Sequence, residues 1–542
     1  MKKLLLVVVL LSATIAKAQQ DALVFFADKE DVAASLANPI SILTQEAIDR
    51  KAMHNIAIDA LDVPVNEAYI TQLKNTSGIT VHAKSKWMNA VYVRGSESNI
   101  DALTNLPFVT EVEFADKNLN KQPFQRNTED KFKIENEPSR IVYDYGEARN
   151  QVEQIAADFL HEQDFTGDGM VIAVLDSGFP SVNTNPAFAD VVSEGRLLDT
   201  YNFVDRIPNV SSTGSNHGTK TFSDIGAFLD GAQKFVGTAP AASFYLYVTE
   251  DNDDENPVEE AYWVEALERA DSLGVDVVNT SLGYQDFPDY PQYDHTYEDF
   301  DGETTIAARG GNFAFQKGML LVTSAGNDGN GFTFVATPGD SKGILTVGAV
   351  DSEGDYVDFS SIGPTVDGRI KPDVMAKGRD AAVVNEDGIV VENNGTSFSS
   401  PIMAGAVASL WQSRPEIKNS RVMDVIRQSA HLFNNPTDEM GYGIPNFEDA
   451  YNALQVLGIE DQLLKETFAI YPNPVVDIFN VSFPQQTERA MVTIFDVLGK
   501  KVMTKEISAV ENKVNISELS GGIYIASITA EGVVNNFKIL KK

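Results

Sequence analysis

Four side chains in this sequence could together drive nucleophilic attack by a hydroxyl: Asp176, His217, Asn327 and Ser397. Each is ordinary alone. Asp176 ends an apolar run in Val174-Leu175-Asp176-Ser177-Gly178, where a carboxylate is costly unless paired. His217 follows a polar loop in Ser215-Asn216-His217-Gly218-Thr219 and opens a helical stretch. Asn327 closes Thr323-Ser324-Ala325-Gly326-Asn327, and Ser397 sits in Gly395-Thr396-Ser397-Phe398-Ser399-Ser400-Pro401 ahead of an apolar run. Singly, they read as a turn Asp, a hydrogen-bonding His, a turn Asn and an N-cap Ser. As a set they supply a nucleophile, a base for its proton, a carboxylate to hold the base in one tautomer, and a donor for an oxyanion. A hydroxyl at a helix start also lies near unpaired N–H groups and the positive end of the helix dipole.

These residues need a scaffold that brings strand ends together. Between about residues 145 and 457, apolar runs at 170–175, 275–279, 319–324 and 344–350 alternate with helix-period stretches at 217–229, 259–273 and 304–317. Continuous apolar strands between helices predict an α/β unit with a parallel sheet buried on both faces. Such sheets bind ligands beyond the carboxyl ends of their strands, where the candidates lie. Ala404, Gly405, Ala406 and Ala408 in the run 402–411 predict a buried helix packed closely on that sheet.

The flanks have different textures. Residues 19–116 read as a small α+β unit, with a strand at 22–26, a helix at 42–55, a hairpin at 81–93 around Trp87, a short helix at 99–106 and a strand at 109–114. Residues 117–144 have the polar, charged composition of a linker, including Lys121, Arg126, Lys131 and Arg140. Residues 468–542 show short alternating strands and the turn signals Tyr471-Pro472-Asn473-Pro474, Leu498-Gly499-Lys500 and Ser520-Gly521-Gly522, the pattern of a β-sandwich. At the N-terminus, Lys2 and Lys3, the apolar run 4–11 and Ala16-Lys17-Ala18 form a secretory signal over residues 1–18. That run is too short to span a membrane, and no later one is long and apolar enough, so a protein that is exported and soluble, or anchored by other means, is expected. The net charge of −36 argues against nucleic acid and anionic membrane surfaces as partners. With no Cys, disulfides and thiol chemistry are excluded, and the six His show no HExxH spacing.

Residues 145–457 resemble the subtilisin-like (subtilase) serine proteases. Asp176-Ser177-Gly178, His217-Gly218-Thr219 and Gly395-Thr396-Ser397 with Pro401 match the family's three catalytic motifs, and Asn327 its oxyanion-hole Asn. The Asp–His–Ser order is that of the family. Ser281-Leu282-Gly283 matches the edge that pairs with the bound peptide as an added strand, Ser324-Ala325-Gly326 lines the same cleft, and Gly441-Tyr442-Gly443 matches a closing motif. Lys220 stands where the family commonly has a second His, and Phe398 and Ser399 replace Met and Ala. The resemblance implies a secreted endopeptidase acting on protein or peptide substrates, with no organic cofactor or catalytic metal. The alternative is an inactive, surface-displayed binding protein on the same scaffold, which would be expected to lose one of the four residues. A sedolisin-like acid peptidase is disfavoured by His217 and Asn327. The acidic insert 250–255 could hold structural calcium, but it lacks the EF-hand loop pattern and reads better as a solvated acidic loop. Residues 19–116 resemble the inhibitory propeptide of these proteases in layout. Residues 468–542 resemble the sorting domain of the type IX (Por) secretion route, implying outer-membrane secretion machinery as a partner and a secreted or cell-surface location.

Overall fold

The apolar run before Asp176 forms a strand with no wet face. In the computed structural model, which describes residues 19–120, 143–329, 331–466, 468–483, 487, 489–496, 500–509, 511–530 and 533–542, it is an interior strand of a seven-stranded parallel sheet. The signal segment 1–18, the linker residues Lys121, Arg126, Lys131 and Arg140, and Leu498-Gly499 of one expected turn lie outside the described residues.

The N-terminal region contributes strands β1 (Gln19–Phe26), β2 (Ile79–Ser85), β3 (Ala90–Ser96) and β4 (Val109–Phe114), with helix α1 (Gln45–Met53) in the β1–β2 connection. They form an antiparallel sheet in the order β2-β3-β1-β4. Period-two alternation divides β1 between two cores. Ala22, Val24 and Phe26 face the region's own helices, in a cluster with Ile70, Leu73 and Ile100. Leu23 faces the other way, in a cluster with Trp87, Tyr92, Trp263, Val264 and Ala307. The sheet therefore completes its second face against the helices of the central domain. The expected helix at 42–55 is shorter, because Thr44 caps it by accepting from Ala47 N at 3.3 Å. The expected linker starts later: Asn120 bonds Phe114 in both directions, and Lys117 lies on His295 and Asp299.

The central sheet contains β5 (Val171–Asp176), β6 (Leu197–Asn202), β7 (Ser243–Val248), β8 (Val277–Thr280), β9 (Leu320–Ser324), β10 (Ile344–Val350) and β11 (Val374–Lys377), in the order β11-β10-β9-β8-β5-β7-β6. The chain moves outward in opposite directions from the β5–β8 boundary, which makes this a topological switch point. Register sets the row: Leu175, Thr280 and Thr323 are aligned neighbours, so Asp176, Ser281 and Ser324 stand side by side one residue further on.

Helices α2 (His217–Gly226), α3 (Val258–Leu273), α4 (Ile306–Gln316) and α5 (Thr396–Gln412) cover the sheet. The small residues of α5 allow close approach: a Cβ on Gly405 would lie 2.1 Å from Thr238 Oγ1. Between β11 and α5, strands β12 (Ala381–Val384) and β13 (Val390–Asn393) form a hairpin.

Residues 453–542 make a second compact unit. It is a sandwich of a three-stranded and a four-stranded antiparallel sheet around Val481, Val492, Ile494, Ala526 and Ile528.

Candidate active site

Asp176 ends β5 fully buried and is met there by four donors. His217 Nδ1–H, Ser177 N and Ser177 Oγ reach its Oδ1 at 2.8, 2.7 and 3.2 Å, and Thr221 Oγ reaches Oδ2 at 2.9 Å. Thr221 sits one turn after His217 on α2 and is itself buried, so base and carboxylate clamp come from one helix face. Its other acceptor is Gly218 O at 3.1 Å. The sequence reading missed Thr221; its spacing of four residues from His217 was the available signal. Burial pushes the imidazole down in pKa, Asp176 pushes it up and prevails, and Lys220 opposes Asp176, so His217 titrates above its ordinary value. With Nδ1–H committed to Asp176, Nε2 is the nitrogen left to accept a proton.

Ser397 lies in the first turn of α5, after Gly395 at φ 146°. Pro401, four residues on, has no N–H to give to Ser397 O. Ser281 Oγ supplies the missing donor at 2.9 Å, and Asn279 Nδ2 supports Ser281 at 3.2 Å. The expected peptide-binding edge is thus fastened to the carbonyl of Ser397, the expected nucleophile. Gly283 on that edge is exposed, and Tyr284 N then anchors the segment on Thr337 O at 2.7 Å. Ser397 Oγ itself makes only a 3.5 Å contact to Ser281 O, a weak bond that is easily exchanged. The His217 ring lies 5.9 Å, centre to centre, from that of Phe398, the residue after the nucleophile. Phe398 fills a small cluster with Ala381, Val383 and Val391 of the β12–β13 hairpin, the local packing that its larger ring requires.

Asn327 is held by its oxygen. Its Oδ1 accepts from Thr396 N at 2.9 Å and Thr396 Oγ1 at 3.0 Å, which orients Nδ2 as a donor beside Gly395. Gly326, at φ 102°, gives its N–H to Thr396 Oγ1, and a Cβ there would come within 2.8 Å of Ser361 Oγ. Ala325 N bonds Val347 O, extending the β9–β10 ladder to the cleft. Gly441-Tyr442-Gly443 returns to the start of β11, where Tyr442 N bonds Asp373 O and Met375 N bonds Gly443 O. Two further residues brace the start of α2: Glu386, at the tip of the β12–β13 hairpin, takes the Asn216 amide at 2.9 and 2.8 Å, and Asn216 precedes His217.

The acidic insert is more structured than a solvated loop. Glu250 accepts from Thr249 Oγ1 at 2.7 Å and Tyr284 OH at 2.8 Å, and Asn252 Nδ2 bonds Ser177 O. Burial raises the carboxyl groups of Glu250, Glu255 and Glu259 in pKa. Among the described residues, no three His, Cys, Asp or Glu side chains are gathered so as to hold a metal ion.

The profile of the Subtilase family matches residues 167–444, that of the peptidase S8 propeptide domain of Bacteroidota residues 21–132, and that of the secretion system C-terminal sorting domain residues 469–542. Subtilisin NAT of Bacillus subtilis subsp. natto is 28% identical over 386 residues, covering 70% of this chain and 90% of its own. Subtilisin J of Geobacillus stearothermophilus is 27% identical, covering 74% of this chain and 94% of its own. Among solved structures, MycP1 from the ESX-1 type VII secretion system is 22% identical, covering 59% of this chain and 90% of its own, with a TM-score of 0.45. The match to the Subtilase profile runs through all four candidate residues, and the chain belongs to that family of serine endopeptidases, with an S8 propeptide domain before the protease and a secretion sorting domain after it.

Proposed function

We propose that Asp176, His217 and Ser397 hydrolyse peptide bonds through an acyl-enzyme. His217 Nε2 takes the Ser397 Oγ proton as Oγ attacks the carbonyl carbon, and gives that proton to the departing amine. Water then repeats the sequence on the ester and frees the acid. Asp176 fixes the imidazole and stabilises its charged form. Asn327 Nδ2 and the Ser397 N–H hold the oxyanion. Ser281, Leu282 and Gly283 pair with the substrate backbone, opposite Ser324, Ala325 and Gly326. These steps need no metal or organic cofactor. Calcium at residues 250–255 would act on stability alone, so chelation should leave kcat unchanged.

The observation that carries this reading is the 2.8 Å bond from His217 Nδ1 to a fully buried carboxylate already saturated by other donors. The propeptide restrains the protease until it is removed, and the sorting domain directs export across the outer membrane for release or surface display. A fluorophosphonate probe tests the core of the proposal. It should label the mature protein at Ser397 and leave Ser397→Ala unlabelled; failure to label a folded mature protein would favour the inactive-scaffold alternative. Deleting residues from 468 onward should stop export while sparing peptidase activity.

A further inference from the structure

The propeptide touches the protease through more than its sheet. The β2–β3 turn gives three bonds to Glu268 of α3, from Ser85 Oγ, Lys86 N and Trp87 N at 2.6, 2.7 and 3.0 Å. Residues 44–62, which include α1, reach a different surface. Thr44 N bonds Ser272 O, and Arg50 and Lys51 place their charged ends on Asp271 Oδ1 at 2.6 and 2.7 Å. From the turn, Lys86 adds a third cation 3.7 Å from Asp271. Lys51 also reaches Asp62 at 3.1 Å, and Asp62 and Asp59 receive Lys317 of the protease at 2.9 and 2.8 Å. Charges therefore alternate across the boundary: Asp271, Lys51, Asp62, Lys317, Asp59. Arg50, Lys51, Asp62, Asp271 and Lys317 are all at most 3% exposed. One turn along, His54 stacks on Trp411 at 5.5 Å and bonds Pro415 O at 2.8 Å.

Asp271, Lys317 and Trp411 mark the C-terminal ends of α3, α4 and α5. Strands β8 and β9 begin directly after α3 and α4, so this surface lies at the edge of the sheet opposite the catalytic residues. Helix C-termini carry partial negative charge, and here they surround a carboxylate. The surface is also cut to shape. Gly274 and Gly318 have φ of 88° and 94°, and a Cβ on either would strike Ala47 N at 2.9 Å or Ile56 Cδ1 at 2.3 Å.

We propose that this surface is a second propeptide-binding site, one that recognises the adjacent cations Arg50 and Lys51 of α1 through Asp271, and that residues 44–62 hold the propeptide on the protease after the chain between them is cut. The inference rests on the reading of the propeptide as a restraint. A pair of cations on one buried carboxylate is strong only while complete, since losing either partner leaves a buried charge unpaired. The site also lies where no substrate competes for it. Arrival of substrate at the Ser281–Gly283 edge cannot displace the helix, so release has to await loss of the helix itself.

The test uses the full-length active chain, following scission and the onset of activity on a fluorogenic peptide. Arg50→Ala/Lys51→Ala should shorten the interval between the two at least ten-fold and leave the final kcat/KM unchanged, because the helix is absent from the released enzyme. An interval equal to wild type would overturn the proposal. If the double variant fails to accumulate, His54→Ala in an uncut Ser397→Ala chain gives an independent reading. Amide exchange at residues 271–274 and 411–415 should rise ten-fold or more while that at 85–87 stays at wild type; unchanged exchange at 271–274 and 411–415 would overturn the second site. A wild-type chain with no interval would fail the restraint reading, and the exchange pattern would still decide the site.

Discussion

Asp176 and Asp271 are both fully buried carboxylates that receive several donors, yet they do opposite things. Around Asp176 every donor belongs to the protease, and one of them, His217, titrates. Around Asp271 the charged donors, Arg50, Lys51 and Lys86, all come from the propeptide. Attraction to its cations holds the Asp271 carboxyl at about 2, against the upward pull of burial. On the proposed reading, a buried carboxylate is thus a permanent part of the chemistry when its partners are local, and a detachable fastening when they lie on a segment that leaves.

The largest break in that comparison is Asp176→Asn. The amide can hold His217 but favours the wrong tautomer, and kcat should fall about 10⁴-fold in steady-state assays of a folded variant, the size seen for the same change in another serine protease. Next comes Asn327→Ala, with a fall in kcat of about 10²–10³ and little change in KM, the effect measured when subtilisin loses its oxyanion donor. Asp271→Asn should do neither. It should lower the stability of the uncut Ser397→Ala chain by about 3 kcal/mol in denaturant melts, leaving the activity of the mature enzyme intact.

Asp176 was legible from sequence because its motif sits at the end of an apolar run, and the alternating texture around it gave the parallel sheet. Asp271 was not. In Ala270-Asp271-Ser272 it looks like any exposed helical Asp, and only the docking of a segment more than two hundred residues earlier buries it. Thr221 was hidden differently, as a polar residue inside a helix whose spacing from His217 has meaning only once Asp176 is placed. The propeptide helix 42–55 was read too long because the Thr44 cap depends on side-chain geometry, and strands β6 and β7 were not anticipated.

Smaller effects sharpen the Asp176 half. His217 titrates above its ordinary value, and Nε2 must be unprotonated to take the Ser397 proton. Activity should therefore be full in alkali and fall on acidification through a midpoint above about 6.5 in kcat/KM. Thr221→Val removes a donor from Asp176 and should lower kcat/KM about ten-fold, with the acidic limb shifted upward because the less-solvated carboxylate holds the imidazolium more tightly. Thr221→Ser should restore both values; a valine variant with wild-type kinetics would remove Thr221 from the machinery.

The proline four residues after the nucleophile has a mechanical consequence. A regular helix would tie the Ser397 carbonyl to its own next turn, and the nucleophile would then be indifferent to its neighbours. Here that tie runs sideways to Ser281, so the reactive residue and the recognition strand share one joint and one degree of freedom. A displacement of the strand is felt at the first turn of the helix without passing through the core. On the proposed reading, selectivity and reactivity are therefore geared together in this protein.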